Sequence, residues 1–521
     1  MKMSGSAGVQ PRNSQQQVAG GRLINFAFRS INVIEEWGNK LPHPFWLFCI
    51  LSFLLVLLSA VLNHFGVDAI NPADGKKVVV KSLLTQQGAE VIIGDIVKNF
   101  ADFPPLATIL TTMLGIVVAE KSGLFDSVLR LTVTKVPARY TTFALAYAGM
   151  IGHVAGDAAY VTLIPLGGIV FRSLGRSPIL GCIVAFVSVS AGYDASPSIT
   201  PTDILLSTIS TAAIHTIDPA GSMNPTANYF FSLVSSIVVA LVITIVVEKI
   251  LAKRPDLDVD HDYVAEAEVS KNYDVSAAER RALARAGLAA LVFFALLAAA
   301  LAIPGSPFRG ADGGILKSPV MEGMAGVIGL FFAVIGYTYG KSVGTYGKLS
   351  DVLPAMSDGF KSMAPILVLF FAIAQFLAYF KWTGIGQVIA IHGATVFKNI
   401  NAPGWAILLG MAIIISIMNL VLTSGSAMWA LAAPVFIPML MLLGIEPEAT
   451  QAMYRVADSV TNCVTPMSPY FVMALGFIQN YKKSAGIGTL ASFTLPLAGV
   501  VWVVWVALFM VWYLAGLPFG F

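Results

Sequence analysis

Long runs of apolar residues, separated by short polar stretches, occupy most of this chain. Runs of about 20 apolar residues can cross the roughly 30 Å hydrocarbon core of a bilayer as α-helices. We therefore predict membrane-spanning helices near residues 45–65, 104–120, 140–155, 229–248, 287–303, 319–339, 363–380, 405–422 and 490–516. The pattern indicates an all-α integral membrane protein with about nine spanning helices.

Two apolar segments, 157–215 and 426–480, are interrupted by Gly, Pro, Ser and Thr. Each is predicted to form two short helices joined by a turn and followed by a broken helix. Such re-entrant hairpins are expected at about 157–200 and at about 426–465. Non-helical backbone is tolerated at membrane depth only where protein buries it or water reaches it. These segments should therefore line a cavity.

A polar motif occurs once in each segment. The copies at 157–165 and 426–434 begin with a polar residue, with an aromatic residue three places on and a proline eight places on. Each copy is followed by a Thr-Pro pair, at Thr200 and at Thr465. Polar, proline-broken segments at corresponding places in two halves of a chain indicate a transporter binding site.

The distribution of basic residues predicts the orientation of the chain. Lys and Arg precede the first helix, fill the central connector and precede the last helix, whereas the last five residues have none. Because cytoplasmic loops are enriched in Lys and Arg, we expect a cytoplasmic N-terminus and an external C-terminus. The two halves would then be inverted, as in many secondary transporters.

This orientation divides the chain into six parts. They are a cytoplasmic N-terminal segment (1–44), a first scaffold helix with an external loop (45–90), repeat 1 with hairpin 1 and a scaffold helix (91–248), a cytoplasmic linker (249–286), further scaffold helices (287–350), and repeat 2 with hairpin 2 and the last scaffold helix (351–516). Within the linker, Ser276 followed by Glu279 predicts the start of a helix.

Composition supports the membrane assignment. Of the 521 residues, 56% are hydrophobic and only 12% are charged, and the mean hydropathy is +0.77. Soluble domains have about 25% charged residues. The net charge of +3 gives no indication of nucleic-acid binding, and the three cysteines lie in apolar context, which favours core positions over disulfides or metal ligands.

Polar and ionisable side chains within membrane segments are candidate functional groups by default. They are densest in the second half, at Asn419, Thr423, Ser424, Ser426, Trp429, Arg455, Asp458, Asn462 and Thr465. Asp458 and Asn462 are four residues apart and share a helix face. A hard cation such as Na⁺ prefers oxygen ligands. Asn419, Asp458 and Asn462 are therefore candidate ligands.

The start of hairpin 2 could bind a substrate that has a carboxylate and an aromatic ring. Helix N–H groups around Ser426 would attract a carboxylate, and Trp429 could stack on an aromatic ring. Other interpretations remain open, namely a structural Arg455–Asp458 ion pair, packing of Trp429 in the core, and helix capping by Asn419 or Asp203.

Four stretches, 41–44, 160–166, 419–440 and 454–467, resemble signatures of the aminobenzoyl-glutamate transporter (AbgT) family. The resemblance covers the chain from about residue 34 to residue 517. It implies a homodimer of nine-helix protomers in the bacterial inner membrane, each with two re-entrant hairpins. It also implies transport of p-aminobenzoyl-glutamate, a folate breakdown product, and in some members export of sulfonamide antimetabolites.

The resemblance also implies roles for individual residues. The substrate contacts would be Asp203, Ser426, Trp429, Arg455, Asp458 and Pro466. The cation site would be formed by Asn419, Asp458 and Asn462. This chain departs from the family pattern at Thr423, where members often have Gly, and at the acidic residues Asp157 and Asp194.

The sequence therefore predicts an ion-coupled secondary transporter, not an enzyme, whose hairpin-bearing core moves against a dimer scaffold in an elevator motion. Its substrate would be p-aminobenzoyl-glutamate or a related aryl-amine antimetabolite, with Na⁺ or H⁺ as the coupling ion and no cofactor. The alternatives are an importer of dicarboxylates or other organic anions with the same fold, a channel, and an intramembrane aspartyl protease that uses Asp157 and Asp194.

Overall fold

A computed structural model describes residues 42–70, 75, 77–134, 136–254, 257–260, 275–310, 313–314 and 318–521. Within these residues, six helices are long and apolar enough to cross a membrane, and a bent pair would add a seventh. Shorter apolar helices lie between them. The all-α membrane fold is thus confirmed, while the number of nine spanning helices stays a prediction.

The longer helices are numbered here in chain order. They are α1 (Pro44–His64), α2 (Pro104–Lys121), α3 (Leu124–Thr134), α4 (Thr141–Gly152), α5 (Ala158–Ser173), α6 (Pro178–Ala191), α7 (Pro201–Ile214), α8 (Tyr229–Lys249), α9 (Ala277–Ala302), α10 (Met324–Val343), α11 (Val352–Thr383), α12 (Ile385–Asn399), α13 (Gly404–Asn419), α14 (Gly425–Met441), α15 (Pro447–Thr461), α16 (Pro469–Gln479) and α17 (Ile487–Leu514).

Short elements connect these helices. The predicted external loop after α1 contains an antiparallel pair of strands, β1 (Asp68–Ile70) and β2 (Lys77–Val79). The remaining short elements are the helices Gln86–Ala89, Ile96–Ala101 and Pro319–Glu322, the π-helix Glu90–Gly94, and the 3₁₀ turns Ala138–Tyr140, His153–Ala155, Leu251–Lys253 and Leu349–Asp351.

Two predicted helices begin earlier than expected. Helix α9 begins at Ala277 rather than near 287, because Ser276 and Glu279 form a reciprocal capping box at its N-terminus. The predicted start signal in the linker is therefore confirmed. Helix α11 begins at Val352 rather than near 363, and Pro365 lies inside it. The rest of the linker at 255–256 and 261–274, and the N-terminal segment 1–41, lie outside the described residues.

Each predicted hairpin segment contains a pair of short helices, and the re-entrant course of these pairs in the membrane stays a prediction. In hairpin 1, helices α5 and α6 approach closely through Gly167 and Gly181. A Cβ atom on Gly181 would lie 2.1 Å from the carbonyl oxygen of Gly167. Small residues at a helix interface allow this backbone approach, which compensates for the weak hydrophobic drive between helices in lipid. Hairpin 2 pairs α14 with α15.

The helices of the two halves follow one another in the same order. Helix α2 bends by 60° into α3 at Gly123, whose φ is +85°, and α11 gives way to α12 at Gly384, whose φ is +74°. Glycine accepts this left-handed backbone without strain. In each half a short helix, a hairpin, another short helix and a long helix then follow. The inverted orientation of the halves stays a prediction.

Two irregular segments pack against each other at the open end of hairpin 2, where α14 begins and α15 ends, and we call this end of each hairpin its tip. Residues 420–424 precede α14, and residues 462–468 follow α15. Thr465 Oγ1 donates to the carbonyl oxygen of Leu420 at 2.7 Å, which joins the two segments. The polar groups of non-helical backbone are thus partly satisfied by side chains within the protein.

Candidate functional site

An ion pair between the two halves lies at the centre of the candidate site. Arg455 Nη1 on α15 donates to Asp203 Oδ1 on α7 at 2.7 Å, and both side chains are buried. The Arg455–Asp458 ion pair, which was one of the open interpretations, does not form among the described residues. Residues three apart are neighbours on a helix, but the guanidinium points across to the helix of the other half.

Asp203 combines this ion pair with a capping role. Its Oδ2 accepts from the backbone N–H of Thr200 at 2.6 Å and from Thr200 Oγ1 at 2.7 Å, which completes a capping box at the start of α7. A carboxylate that is fixed by its own helix cap is held in one position. The Asp203 side chain is therefore held with its Oδ1 atom facing Arg455.

Asp194 is a member of the site that the sequence left without a role. Its Oδ1 lies 3.6 Å from Arg455 Nη1, and its backbone N–H donates to Ser459 Oγ at 3.1 Å. Within the described part of the chain, neither carboxylate oxygen of Asp194 has a hydrogen-bond partner. Arg455 thus lies between two carboxylates, of which only Asp203 bonds to it directly.

A chain of hydrogen bonds extends the site to Trp429. Arg455 Nη2 donates to Gln451 Oε1 at 3.3 Å, and Gln451 Nε2 donates to Ser210 Oγ at 2.7 Å. The same Ser210 oxygen accepts from Trp429 Nε1 at 2.9 Å. The sequence analysis missed Gln451 and Ser210. The four-residue spacing from Gln451 to Arg455 was a usable signal, because it places both on one helix face.

Trp429 is fully buried and faces another aromatic ring. Its ring centroid lies 4.3 Å from that of Tyr454, with the planes tilted by 34°. Tyr454 in turn donates to the carbonyl oxygen of Gly425 at 2.5 Å. In this conformation Trp429 packs in the core, as the alternative interpretation expected, and an aryl ligand would have to compete with Tyr454 for its face.

The three predicted cation ligands are brought together by Asn419. Its Nδ2 lies 2.5 Å from the carbonyl oxygen of Asp458, 2.8 Å from Thr461 Oγ1 and 2.9 Å from Asn462 Oδ1. A side-chain amide has two N–H groups and cannot satisfy three acceptors at once. Across the described residues, Asn419 Oδ1 and Asp458 Oδ1 are buried without a partner. Buried oxygens without a partner are of the ligand type that a hard cation prefers.

The tip of hairpin 2 lies beside this oxygen cluster. A Cβ atom on Gly425 would lie 2.9 Å from Asp458 Oδ2, so the tip approaches the carboxylate closely. Ser426 is half-buried, and its Oγ lies 3.4 Å from Oγ of Ser424, the N-cap of α14. Pro466 is half-buried on the irregular segment after α15. The structure records no hydrogen bond that joins Ser426 to Arg455 within the described chain.

The corresponding tip of hairpin 1 has a different chemistry. Tyr160 stacks on Tyr470 of the other half, with centroids 4.1 Å apart and planes at 5°, and Tyr470 donates to Asp157 Oδ1 at 2.5 Å. Asp157 thus bonds to a tyrosine, whereas Asp194 faces Arg455. The two acids have separate partners, and this geometry does not favour the shared-proton pair of an aspartyl protease.

Known proteins are similar to this chain over nearly its whole length. Residues 29–521 match the sequence profile of the AbgT putative transporter family. The p-aminobenzoyl-glutamate transport protein of Escherichia coli (strain K12) is 34% identical over 488 residues, which are 94% of this chain and 95% of that protein.

Two solved structures are similar over nearly the whole chain. The YdaH transporter of Alcanivorax borkumensis, described as having an unusual topology, aligns with a TM-score of 0.85 at 38% identity, over 92% of this chain and 100% of that one. MtrF of Neisseria gonorrhoeae, described among antimetabolite efflux pumps, aligns with a TM-score of 0.88 at 38% identity, over 93% of this chain and 97% of that one.

Proposed function

Because the chain belongs to the AbgT transporter family, we propose that it carries p-aminobenzoyl-glutamate or related aryl-amine antimetabolites, such as sulfonamides, across the membrane as an ion-coupled secondary transporter. The relatives are transporters and not enzymes, which confirms the prediction that this chain is not an enzyme. A multi-pass membrane location agrees with its apolar helices.

The substrate proposal rests on one observation, namely that Arg455 is buried with an Nε atom that is unpaired within the described chain. Its side chain is 2% exposed, and among the described atoms its Nε has no hydrogen-bond partner. Buried polar groups are nearly always paired, and an unpaired charged donor is costly. A substrate carboxylate would supply the missing acceptor.

The coupling cation would bind where Asn419, Asp458 and Asn462 converge. The unpaired oxygens of Asn419 and Asp458 support this placement, since a cation or a proton there would satisfy them. Gly425 at the tip of hairpin 2 touches the same carboxylate. Cation binding and the position of the substrate-binding tip would therefore be linked through Asp458.

The transport motion would be an elevator movement of the two hairpins and their adjoining helices against a scaffold. The scaffold would consist of α1, α8, α9, α10 and α17, and two protomers would pair through it as a homodimer. Helix α9 presents exposed apolar side chains, including Leu288, Leu291 and Phe294, to its surroundings. The N-terminus would be cytoplasmic and the C-terminus periplasmic, in a bacterial inner membrane.

Transport in proteoliposomes tests the proposal. Labelled p-aminobenzoyl-glutamate is offered on either side of the membrane under an imposed Na⁺ or proton gradient, and unlabelled sulfonamide and a simple dicarboxylate serve as competitors. Gradient-dependent movement that sulfonamide inhibits is the expected result. Absence of both accumulation and competition would overturn the substrate assignment, and competition by the dicarboxylate alone would favour an organic-anion importer.

A further inference from the structure

A cavity of about 330 Å³ lies between α2, the tip of hairpin 1, the start of α7 and the middle of α11. Its walls are mainly apolar, and they include Ile109, Met113, Ile116, Ile204, Leu205, Met363 and Ile366. Two carboxylates, Glu120 and Asp157, line the same cavity. None of the residue roles implied by the family resemblance falls on these side chains.

The charge in the cavity is of one sign. Its described lining residues include no Lys, Arg or His, and Lys121, which follows Glu120, is exposed. The Asp157 carboxylate accepts a hydrogen bond from Tyr470, and the Glu120 carboxylate forms no hydrogen bond or ion pair with the side chain or backbone of any described residue. An ionisable side chain within a membrane segment that faces a cavity is a candidate functional group. The cavity therefore favours a hydrogen-bond donor and repels an anion.

The wall of the cavity is shared with the buried arginine site. Tyr193 and Thr202 line the cavity, and Thr202 Oγ1 donates to the Tyr193 hydroxyl at 3.1 Å. The residues that follow them, Asp194 and Asp203, face Arg455. The wall of the cavity and the partners of Arg455 are thus formed by neighbouring residues of the chain.

We propose that this cavity binds the aryl-amine end of the substrate, with the amine N–H groups donating to Glu120 and Asp157 and the ring between the apolar walls. The substrate carboxylates would lie at the other end of the molecule, because Glu120 and Asp157 repel them. This inference rests on the proposed function and adds the orientation of the substrate. It gives the two acids at the cavity a role in specificity.

Binding of matched ligand pairs tests this inference. Dissociation constants of p-aminobenzoyl-glutamate and benzoyl-glutamate, which lacks the amine, are measured on the purified full-length protein, along with those of sulfanilamide and benzenesulfonamide. We expect the wild-type protein to bind each amine about tenfold more tightly than its partner. Glu120→Gln should reduce this affinity ratio towards one, and Asp157→Asn should reduce it in part.

The control is Asp358→Asn, which removes an exposed acid paired with Lys361 at the start of α11, outside the cavity. Its ligand ratio should equal that of the wild type. Retained benzoyl-glutamate binding shows that each variant is folded. An affinity ratio near one in the wild type, or an affinity ratio that Glu120→Gln does not change, would overturn this inference but not the proposed function. Failure of the wild type to bind any of these ligands would overturn the proposed function with it.

Discussion

Arg455 of hairpin 2 bonds to Asp203 of helix α7 at 2.7 Å, although the two residues are 252 positions apart in the chain. This pair joins the two halves of the protein in its buried core. Removing one member of a buried ion pair leaves the other charge uncompensated. The pair therefore has consequences for both stability and binding.

The first prediction concerns the stability of this pair. Asp203→Ala should lower the free energy of unfolding by about 3–5 kcal/mol, because it leaves a buried guanidinium with only Asp194 nearby and also removes a helix cap. Thermal unfolding of the purified protein measures the change. The double variant Asp203→Ala with Arg455→Leu should lose less than the sum of the single variants. If the losses in free energy of unfolding of the two single variants add up to the loss of the double variant, there is no coupling energy between Asp203 and Arg455.

The second prediction separates the roles of two residues in the oxygen cluster. Asp458→Ala should abolish transport, since it removes the carboxylate next to the hairpin tip. Asn419→Ala should instead raise the cation concentration needed for half-maximal transport by roughly 10–100-fold, as loss of groups that orient or ligate an ion commonly does. Transport in proteoliposomes at graded Na⁺ and pH measures both. A wild-type rate in Asp458→Ala would show that the site lies elsewhere.

The third prediction concerns the close approach at the tip of hairpin 2. Gly425→Ala places a methyl group 2.9 Å from Asp458 Oδ2, so either the tip or the carboxylate must shift. We expect a stability loss of about 1–3 kcal/mol and a larger fractional loss of transport. Gly410→Ala on α13 is the matched control, because its Cβ atom would meet nothing within 4 Å. Equal effects of the two substitutions would contradict the steric argument.

The fourth prediction distinguishes the ring of Trp429 from its N–H group. Trp429→Phe keeps an aromatic ring against Tyr454 and loses the bond to Ser210, at a cost of about 1 kcal/mol. Trp429→Ala should cost about 3–5 kcal/mol, because it leaves a cavity in the core. Unfolding midpoints and transport rates are compared for both variants. If Phe is as harmful as Ala, the indole N–H and not the aromatic surface is the essential feature.

Much of the architecture was predictable, because it depends on local pattern. Apolar runs located the long helices, and the Gly- and Pro-interrupted segments located both hairpins. The signal of Ser276 and Glu279 located the start of α9, although the apolar run itself begins later. Helices α3 and α12 were not predicted, because each follows a longer helix after a break of one or two residues that contains a left-handed glycine, Gly123 or Gly384.

The sequence pattern predicted which residues belong to the site better than it predicted which of them contact each other. The density of polar residues in the second half indicated Asn419, Arg455 and Asp458, and the structure places all three in the core. The sequence pattern did not indicate Ser210, whose Oγ accepts hydrogen bonds from both Trp429 and Gln451. A serine among apolar residues has no distinguishing pattern until its neighbours in space are known.

The sequence alone determined which segments are apolar enough to enter a membrane and which of them carry polar groups, because hydrophobicity and helix-breaking residues act locally. Only the tertiary structure decided that Arg455 pairs with Asp203 and not with Asp458, and that Glu120 and Asp157 face one cavity. Spacing along a helix specifies which residues share a face. The partner of a buried charge depends on which helix of the other half packs against that face.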